Sequence, residues 1–201
     1  PAAFSINVEG TRRVCELAAT LHSRPRVVFI SSGRVYEPVD PQSPHVDESA
    51  PTPAMSAYAK MKVLAEEQVK AICGDAGLPF IIARAFNHTG PGQLPPLMLP
   101  QWCEQLARGD ATLHVRNPNV WMDLCDVRDV VRAYRLLALT NTANRMYNVG
   151  SGQAIRTGDV AERLIDVSSR NVTPAFDDQT EHHNAIADIG RLQDVTNWSP
   201  A

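Results

Sequence analysis

The chain has 201 residues, 44% of them apolar and 20% charged, enough to bury a core without disulfide or metal staples. The 19 Lys and Arg against 22 Asp and Glu leave a net charge of −3, which excludes a basic nucleic-acid-binding face. No apolar run reaches the ~20 residues of a membrane-spanning helix, and the opening PAAFSINVEGTRR carries no signal-peptide pattern.

Along the chain, the spacing of Phe4, Val8, Val14, Leu17, Ala18 and Leu21 predicts a helix from Ala3 to about Leu21. RVVFISS, residues 26–32, is β-branched and apolar on both faces, the pattern of a buried parallel strand that ends in two serines. A long proline-rich loop follows, EPVDPQSPHVDESAPTPAM, of a length that is usually functional or disordered. The next helix opens on SAYAKMKVLAEE and runs to about Cys73. LPFIIARAF, residues 78–86, predicts a second buried strand, and NHTGPGQLPP after it a turn-rich loop. Helices are expected over about 96–108, 127–139 and 157–168, with short strands near 111–115 and 145–149. Helix, buried strand, loop, helix, buried strand is the alternation of an α/β fold with a parallel sheet, whose functional loops leave the carboxyl ends of the strands. Both serines and Asn87 stand at such ends.

Four cysteines, Cys15, Cys73, Cys103 and Cys125, are far apart and form no C-x-x-C, so they are expected to be free thiols of a reducing compartment. The six histidines lack ligand spacing, and neighbours such as His182 and His183 point in different directions, so no metal site is expected. Asp126 and Asp129 fit a helix cap and a first-turn charge.

Tyr58 and Lys62 lie four apart, which on a helix places them on one face, one turn apart. A free phenol titrates near ~10, and a nearby ammonium favours its ionised form, so such a pair suits proton exchange with a carbonyl or alcohol. The same spacing also serves an exposed helix face. Ser31 and Ser32, delivered by the preceding strand, supply a hydroxyl for the same substrate oxygen or simply form the turn.

In order, NVEGT (7–11), SSGRVYE (31–37), YAKMK (58–62), RAFNHTGPGQ (84–93), DVRDVVRAY (126–134), YNVGSG (147–152) and NWSP (197–200) resemble the extended short-chain dehydrogenase/reductase family. These are the NAD-dependent epimerases, dehydratases and reductases of nucleotide sugars. RAFNHTGPGQ and SSGRVY look most like its GDP-4-keto-6-deoxy-D-mannose reductases. The resemblance implies a Rossmann-type doubly wound parallel sheet, incomplete in its N-terminal half, with a smaller substrate lobe. Residues 1–86 would belong to the dinucleotide-binding domain and 87–201 mostly to the lobe, with segments returning to the sheet. Relatives open with a glycine-rich turn that has no counterpart here. On the order of 80–100 further residues are therefore expected ahead of Pro1, at roughly 30 per βαβ unit, and these 201 residues alone are expected to bind dinucleotide poorly.

The same resemblance implies that Ser32 orients the substrate oxygen, that Tyr58 is the acid or base, and that Lys62 tunes Tyr58 and holds the nicotinamide ribose. Asn7, Ser31 and Phe86 would lie by the cofactor, NAD or NADP. Arg34, Asn87, His88 and Gln93 would face the substrate, although Arg34 also suits solvent and Asn87 a plain turn. A cytoplasmic homodimer through helices 4–21 and 55–73 is implied as well. Family dehydratases carry a carboxylate just after the Ser/Thr. Gly33 and the permanently charged Arg34 stand there, which argues for reduction of a 4-keto sugar or for 4-epimerisation. A non-catalytic binding module is the third reading. Three positions depart from the pattern: Glu37 replaces a glycine, Met122 replaces an arginine thought to grip the diphosphate, and HHNAIAD lacks a second arginine. Other residues, such as Arg116 or Arg128, take over that grip, or the substrate is not a nucleotide sugar.

Overall fold

A computed structural model describes residues 2–201. The chain enters through a short helix α1 (Ala2–Phe4), passes through a π-helical stretch, Ser5–Glu9, and continues as α2 (Gly10–Thr20). The single predicted helix is therefore continuous, but widened at Asn7. Strand β1 (Val27–Ser32) leads into a 3-10 turn, Gly33–Tyr36. The long loop then contributes β2 (His45–Val46) before α3 (Ala57–Asp75). The Ser56 hydroxyl starts α3 by accepting from Ala59 N at 3.1 Å, satisfying one of the amides a helix start leaves open.

After α3 come β3 (Phe80–Ala85), β4 (Asn87–Thr89), α4 (Met98–Arg108), β5 (Thr112–Val115), β6 (Val120–Asp126) and α5 (Val127–Leu139). The remainder is β7 (Arg145–Val149), β8 (Ala154–Arg156), α6 (Thr157–Ser168), β9 (Thr173–Phe176), β10 (His182–His183), β11 (Ile186–Ala187) and α7 (Gly190–Thr196).

A three-stranded parallel sheet, ordered β1-β3-β7, forms the centre. Every residue of β3 is buried, and successive side chains go to opposite faces, as strand geometry requires. Phe80 and Ile82 pack with Cys15, Ala18, Val69 and Cys73 of α2 and α3. Ile81 and Ala83 pack on the other side with Val130, Ala133 and Leu137 of α5 and Leu192 of α7. The sheet is thus covered by helices on both faces. This is why β3 reads as a continuous apolar run rather than an alternating one.

β6 sits between β10 and β4, with β8 antiparallel to it, and β5 pairs β9. A separate core of Trp102, Leu106, Leu113, Val115, Val160 and Ala161 lies beneath these strands. The loop predicted after Phe86 therefore begins as a strand, β4, which pairs with β6 through Asn87 and His88.

All four cysteines are free thiols. Burial between α2 and α3 pushes Cys15 up to about 12, so it stays protonated and packs as a small apolar group. Asp126 caps α5 by accepting from Arg128 N at 2.7 Å. Among the described residues no helix is long and apolar enough to cross a membrane, and no cluster of His, Cys, Asp or Glu could hold a metal.

Candidate active site

The carboxyl ends of β1 and β3 open onto a cavity of about 400 Å³. Ser31, Ser32, Arg34, Tyr58, Lys62, Phe86, Asn87, His88 and Gln93 all stand on its wall. The structure thus brings together residues from three sequence segments that lie up to 62 positions apart. Asn7 is not on this wall; its side-chain amide donates to Ala3 O at 2.9 Å within its own helix.

Ser32 Oγ accepts from Arg34 N at 3.3 Å, capping the 3-10 turn. With that lone pair engaged, its hydroxyl hydrogen remains free to donate into the cavity. Ser31 is differently employed. It is almost fully buried, and its hydroxyl donates to Glu66 Oε1 at 2.5 Å. Gly33 is required at the bend, because a Cβ there would stand 2.9 Å from the Phe86 ring. Phe86 in turn stacks on Tyr36, with ring centroids 6.1 Å apart.

Tyr58 lies in the first turn of α3 and is 46% exposed, so its hydroxyl is available to a ligand. Lys62 is one turn on. Its Nζ lies 5.8 Å from the Tyr58 ring centroid and donates to Ile30 O at 2.9 Å. Burial lowers its pKa, while the negative charge of Glu66, one turn further, pulls the other way. One of the three ammonium hydrogens is taken by Ile30, which leaves two for a ligand. On the opposite wall His88 Nδ1 is 2.8 Å from Phe86 O, and Thr89 Oγ1 donates to Gln93 Oε1 at 2.7 Å.

Behind the wall runs a buried polar chain. Arg84 donates to Glu66 from Nε at 2.9 Å and from Nη2 at 2.7 Å, and from Nη1 to the Tyr36 hydroxyl at 2.8 Å. Tyr36 donates on to Asn148 Oδ1 at 2.8 Å. Asn148 N donates to Glu48 at 2.7 Å, and Glu48 pairs with Arg191 at 3.3 Å. No buried side-chain polar atom lacks a partner among the described residues. Sequence reading did not find this chain. Arg84 sits inside an apolar run, and its partners are scattered from Ser31 to Arg191.

Sequence reading also missed Glu37 as a wall residue. Its carboxylate takes Arg34 Nη1 at 3.1 Å, and burial raises its pKa although Arg34 pulls it back down. The only signal was its departure from the expected glycine. A neighbouring cavity of about 480 Å³ is lined by Met122, Trp102, His114 and the exposed Arg116. Arg128 stays outside it, paired with Asp126 at 2.6 Å.

The cavity's donors fit the nicotinamide end of a dinucleotide: a free hydroxyl hydrogen, two ammonium hydrogens and an aromatic wall that Gly33 leaves room for.

The NAD dependent epimerase/dehydratase family model matches residues 1–150. GDP-6-deoxy-D-mannose reductase of Pseudomonas aeruginosa is 31% identical, over 98% of this chain and 68% of its own length. dTDP-glucose 4,6-dehydratase of Streptomyces niveus is 28% identical, over 79% of this chain and 46% of its own. Among solved structures, RMD from Pseudomonas aeruginosa complexed with NADPH superposes with a TM-score of 0.92 at 29% identity, covering 98% of this chain and 68% of that one.

Proposed function

The chain belongs to the NAD dependent epimerase/dehydratase family, and we propose that the whole protein reduces the C4 ketone of a GDP-linked 4-keto-6-deoxyhexose, using NAD(P)H. The fold is of the Rossmann type and the family is NAD(P)-dependent. The observation that carries the proposal is the convergence of Ser32, Tyr58 and Lys62 with Asn87 and His88 on one cavity.

Ser32 donates its free hydroxyl hydrogen to the ketone oxygen and fixes its position. Tyr58 delivers the proton to that oxygen as it becomes an alcohol. Lys62 keeps a positive charge beside the phenol as the proton leaves, and its two remaining hydrogens hold the ribose next to the nicotinamide. Phe86 bounds the nicotinamide face. The bound reduced nicotinamide supplies the hydride. Asn87, His88, Gln93 and Arg34 contact the sugar.

The diphosphate is assigned to Arg116. It is the guanidinium on the neighbouring cavity wall, where Met122 cannot carry charge, and Arg128 is already engaged by Asp126. Residues 1–86 are assigned to the dinucleotide half and 87–201 mostly to the substrate lobe, with β7 returning to the central sheet. A homodimer through α2 and α3 is supported by the exposed Val14 and Leu17 on α2, by the exposed Leu21 just past its end, and by the exposed Leu64 on α3.

The test is loss of nicotinamide absorbance by the whole protein with GDP-4-keto-6-deoxymannose, beside Tyr58→Phe. Stoichiometric consumption in wild type, with turnover lower by about 10²–10⁴-fold in the variant, supports the reductase. Interconversion of C4 epimers without consumption replaces it by a 4-epimerase, and equal rates in both proteins remove Tyr58 from the chemistry.

A further inference from the structure

Glu66 is a buried carboxylate that the proposed chemistry does not use. It follows Lys62 by one turn of α3, yet it stands off the catalytic cavity, sealed between α3 and the central sheet. The two side chains grip adjacent residues of β1. Lys62 Nζ donates to Ile30 O at 2.9 Å, and Ser31 donates to Glu66 Oε1 at 2.5 Å. An ammonium half withdrawn from water, 5.2 Å from the Phe29 ring centroid, loses hydration, and that favours the neutral amine. A carboxylate one turn away in poorly solvated surroundings favours the ammonium. The other charges near this spot are paired, exposed or absent. Arg84 of β3 faces Glu66 with two bonds, and Lys70 Nζ lies 3.9 Å from it. Arg34 and Glu37 pair on the cavity wall at 3.1 Å, and His88 is tied to Phe86 O. Glu9, Arg12 and Glu16, on the helix packed against α3, pair among themselves at 3.0 and 2.5 Å. Lys60 and Glu67 of α3 are exposed, and Tyr134 of α5, pushed up to about 12 by burial, stays uncharged. Of these groups, Glu66 is the charge that acts on Lys62.

Resting on the reductase reading above, we propose that Glu66 is a positioning residue for the proton transfer: from behind the cavity wall, braced by Arg84, its carboxylate keeps Lys62 an ammonium beside Tyr58. Lys62 serves Tyr58 only while it is charged, because a neutral amine does not favour a phenolate. The half burial that brings its Nζ to Ile30 O works against that charge. Glu66 offsets the loss without entering the cavity, where a carboxylate would compete with a ligand for the two remaining ammonium hydrogens. A purely structural tie predicts the reverse. Its loss would loosen α3 from β1, admit water to Lys62 and favour the ammonium. The sign of the change therefore separates the two roles.

The test follows the carbon-13 resonance of the Lys62 ε-carbon in the whole protein, without cofactor or substrate, from about pH 8 upward, above the ordinary imidazole range. Lys62→Arg identifies the signal. Glu66→Gln keeps the shape and removes the charge, so Lys62 should titrate about one pH unit lower than in wild type. Arg84→Met keeps the carboxylate and should not lower it. Where a single variant fails to fold, the double variant Glu66→Met/Arg84→Met decides, and it should still lower the titration by about half a unit, since the carboxylate is the charge that acts on Lys62. An unchanged or higher titration in Glu66→Gln, or in the double variant standing in for it, overturns the inference, as does a lower one in Arg84→Met. In the absorbance assay the alkaline fall of kcat should move down together with the Lys62 titration; a fall that stays in place overturns the link to Tyr58. No turnover by wild type, with the Lys62 shift present, overturns the reductase reading and leaves the hold of Glu66 on Lys62 standing, so the two failures are told apart.

Discussion

Replacing Glu66 by methionine should be among the more destabilising single changes in this fold, and replacing Arg84 as well should restore most of the loss. Glu66 and Arg84 have side chains only 2% and 4% exposed. Glu66 accepts from Ser31 at 2.5 Å and from Arg84 at 2.9 and 2.7 Å. Glu66→Met strands the guanidinium with the Tyr36 hydroxyl as its remaining partner, and breaking a buried pair in this way costs about 3–5 kcal/mol. Arg84→Met strands the carboxylate, but Lys70 Nζ already lies 3.9 Å away on an exposed stem and can approach, so this change falls at the lower end, about 3 kcal/mol. With both charges gone, two methionines fill similar volume in apolar surroundings. The double variant should cost about 1–2 kcal/mol, chiefly through the partners lost by Ser31 and Tyr36. Urea unfolding of the four proteins gives the coupling energy, expected to be at least about 3 kcal/mol. A double variant whose loss equals the sum of the singles would refute the view that the pair is one electrostatic unit.

Three further outcomes are expected. Lys62 has a folded-state pKa below its ordinary 10.5, so between those two values the unfolded chain binds more protons and wild-type stability rises with pH; Lys62→Met should lose that rise, seen by comparing urea midpoints from pH 7 to 10. Gly33→Ala should cost about 1–3 kcal/mol and weaken dinucleotide binding, because the new methyl must displace the Phe86 ring; unchanged stability and affinity would mean the ring yields freely. Arg116→Ala should raise KM for the nucleotide sugar by about tenfold with kcat nearly kept, as loss of uniform binding does, and added salt should shrink the difference.

The central sheet was legible because its signals are local. β3 is apolar at nearly every position, and α5 and α6 begin and end where their periodicity does. β6, β8, β9, β10, β11 and α7 were not legible. The strands are short or carry polar residues that pair across long sequence gaps, as Asp123 of β6 does in accepting from Ser151, Gly152 and Ala187. The wall residues of the cavity were reachable through motif order, since each motif holds its residues at a strand or helix end. Glu66 and Arg84 were not. A charge in an apolar run has no meaning until the opposing charge is placed, and that placement is tertiary. Asn7 shows the converse: the motif marks the position, while the π-helical turn directs the side chain back to Ala3.

Tyr58, Lys62 and Glu66 follow one another at every fourth residue of α3, over about 12 Å of helix. Their surroundings change steadily along that line. Tyr58 is open to solvent, Lys62 is half withdrawn onto Ile30 O, and Glu66 is sealed between β1 and β3. An apolar residue at position 66 would hold α3 to the sheet with tolerance for sliding, because dispersion contacts are not directional. Two parallel bonds from Arg84 and one from Ser31 are directional. They fix both the rotation and the height of the helix against the strand that delivers Ser32. The distance between Ser32 and the Tyr58 hydroxyl is therefore set by a charge pair two turns away, and packing alone would set it less sharply. A buried ion pair is poor in net stability compared with apolar filling. Its place here makes sense if what it contributes is the alignment of Tyr58, the proposed proton donor, with Ser32, the hydroxyl proposed to bind the same substrate oxygen.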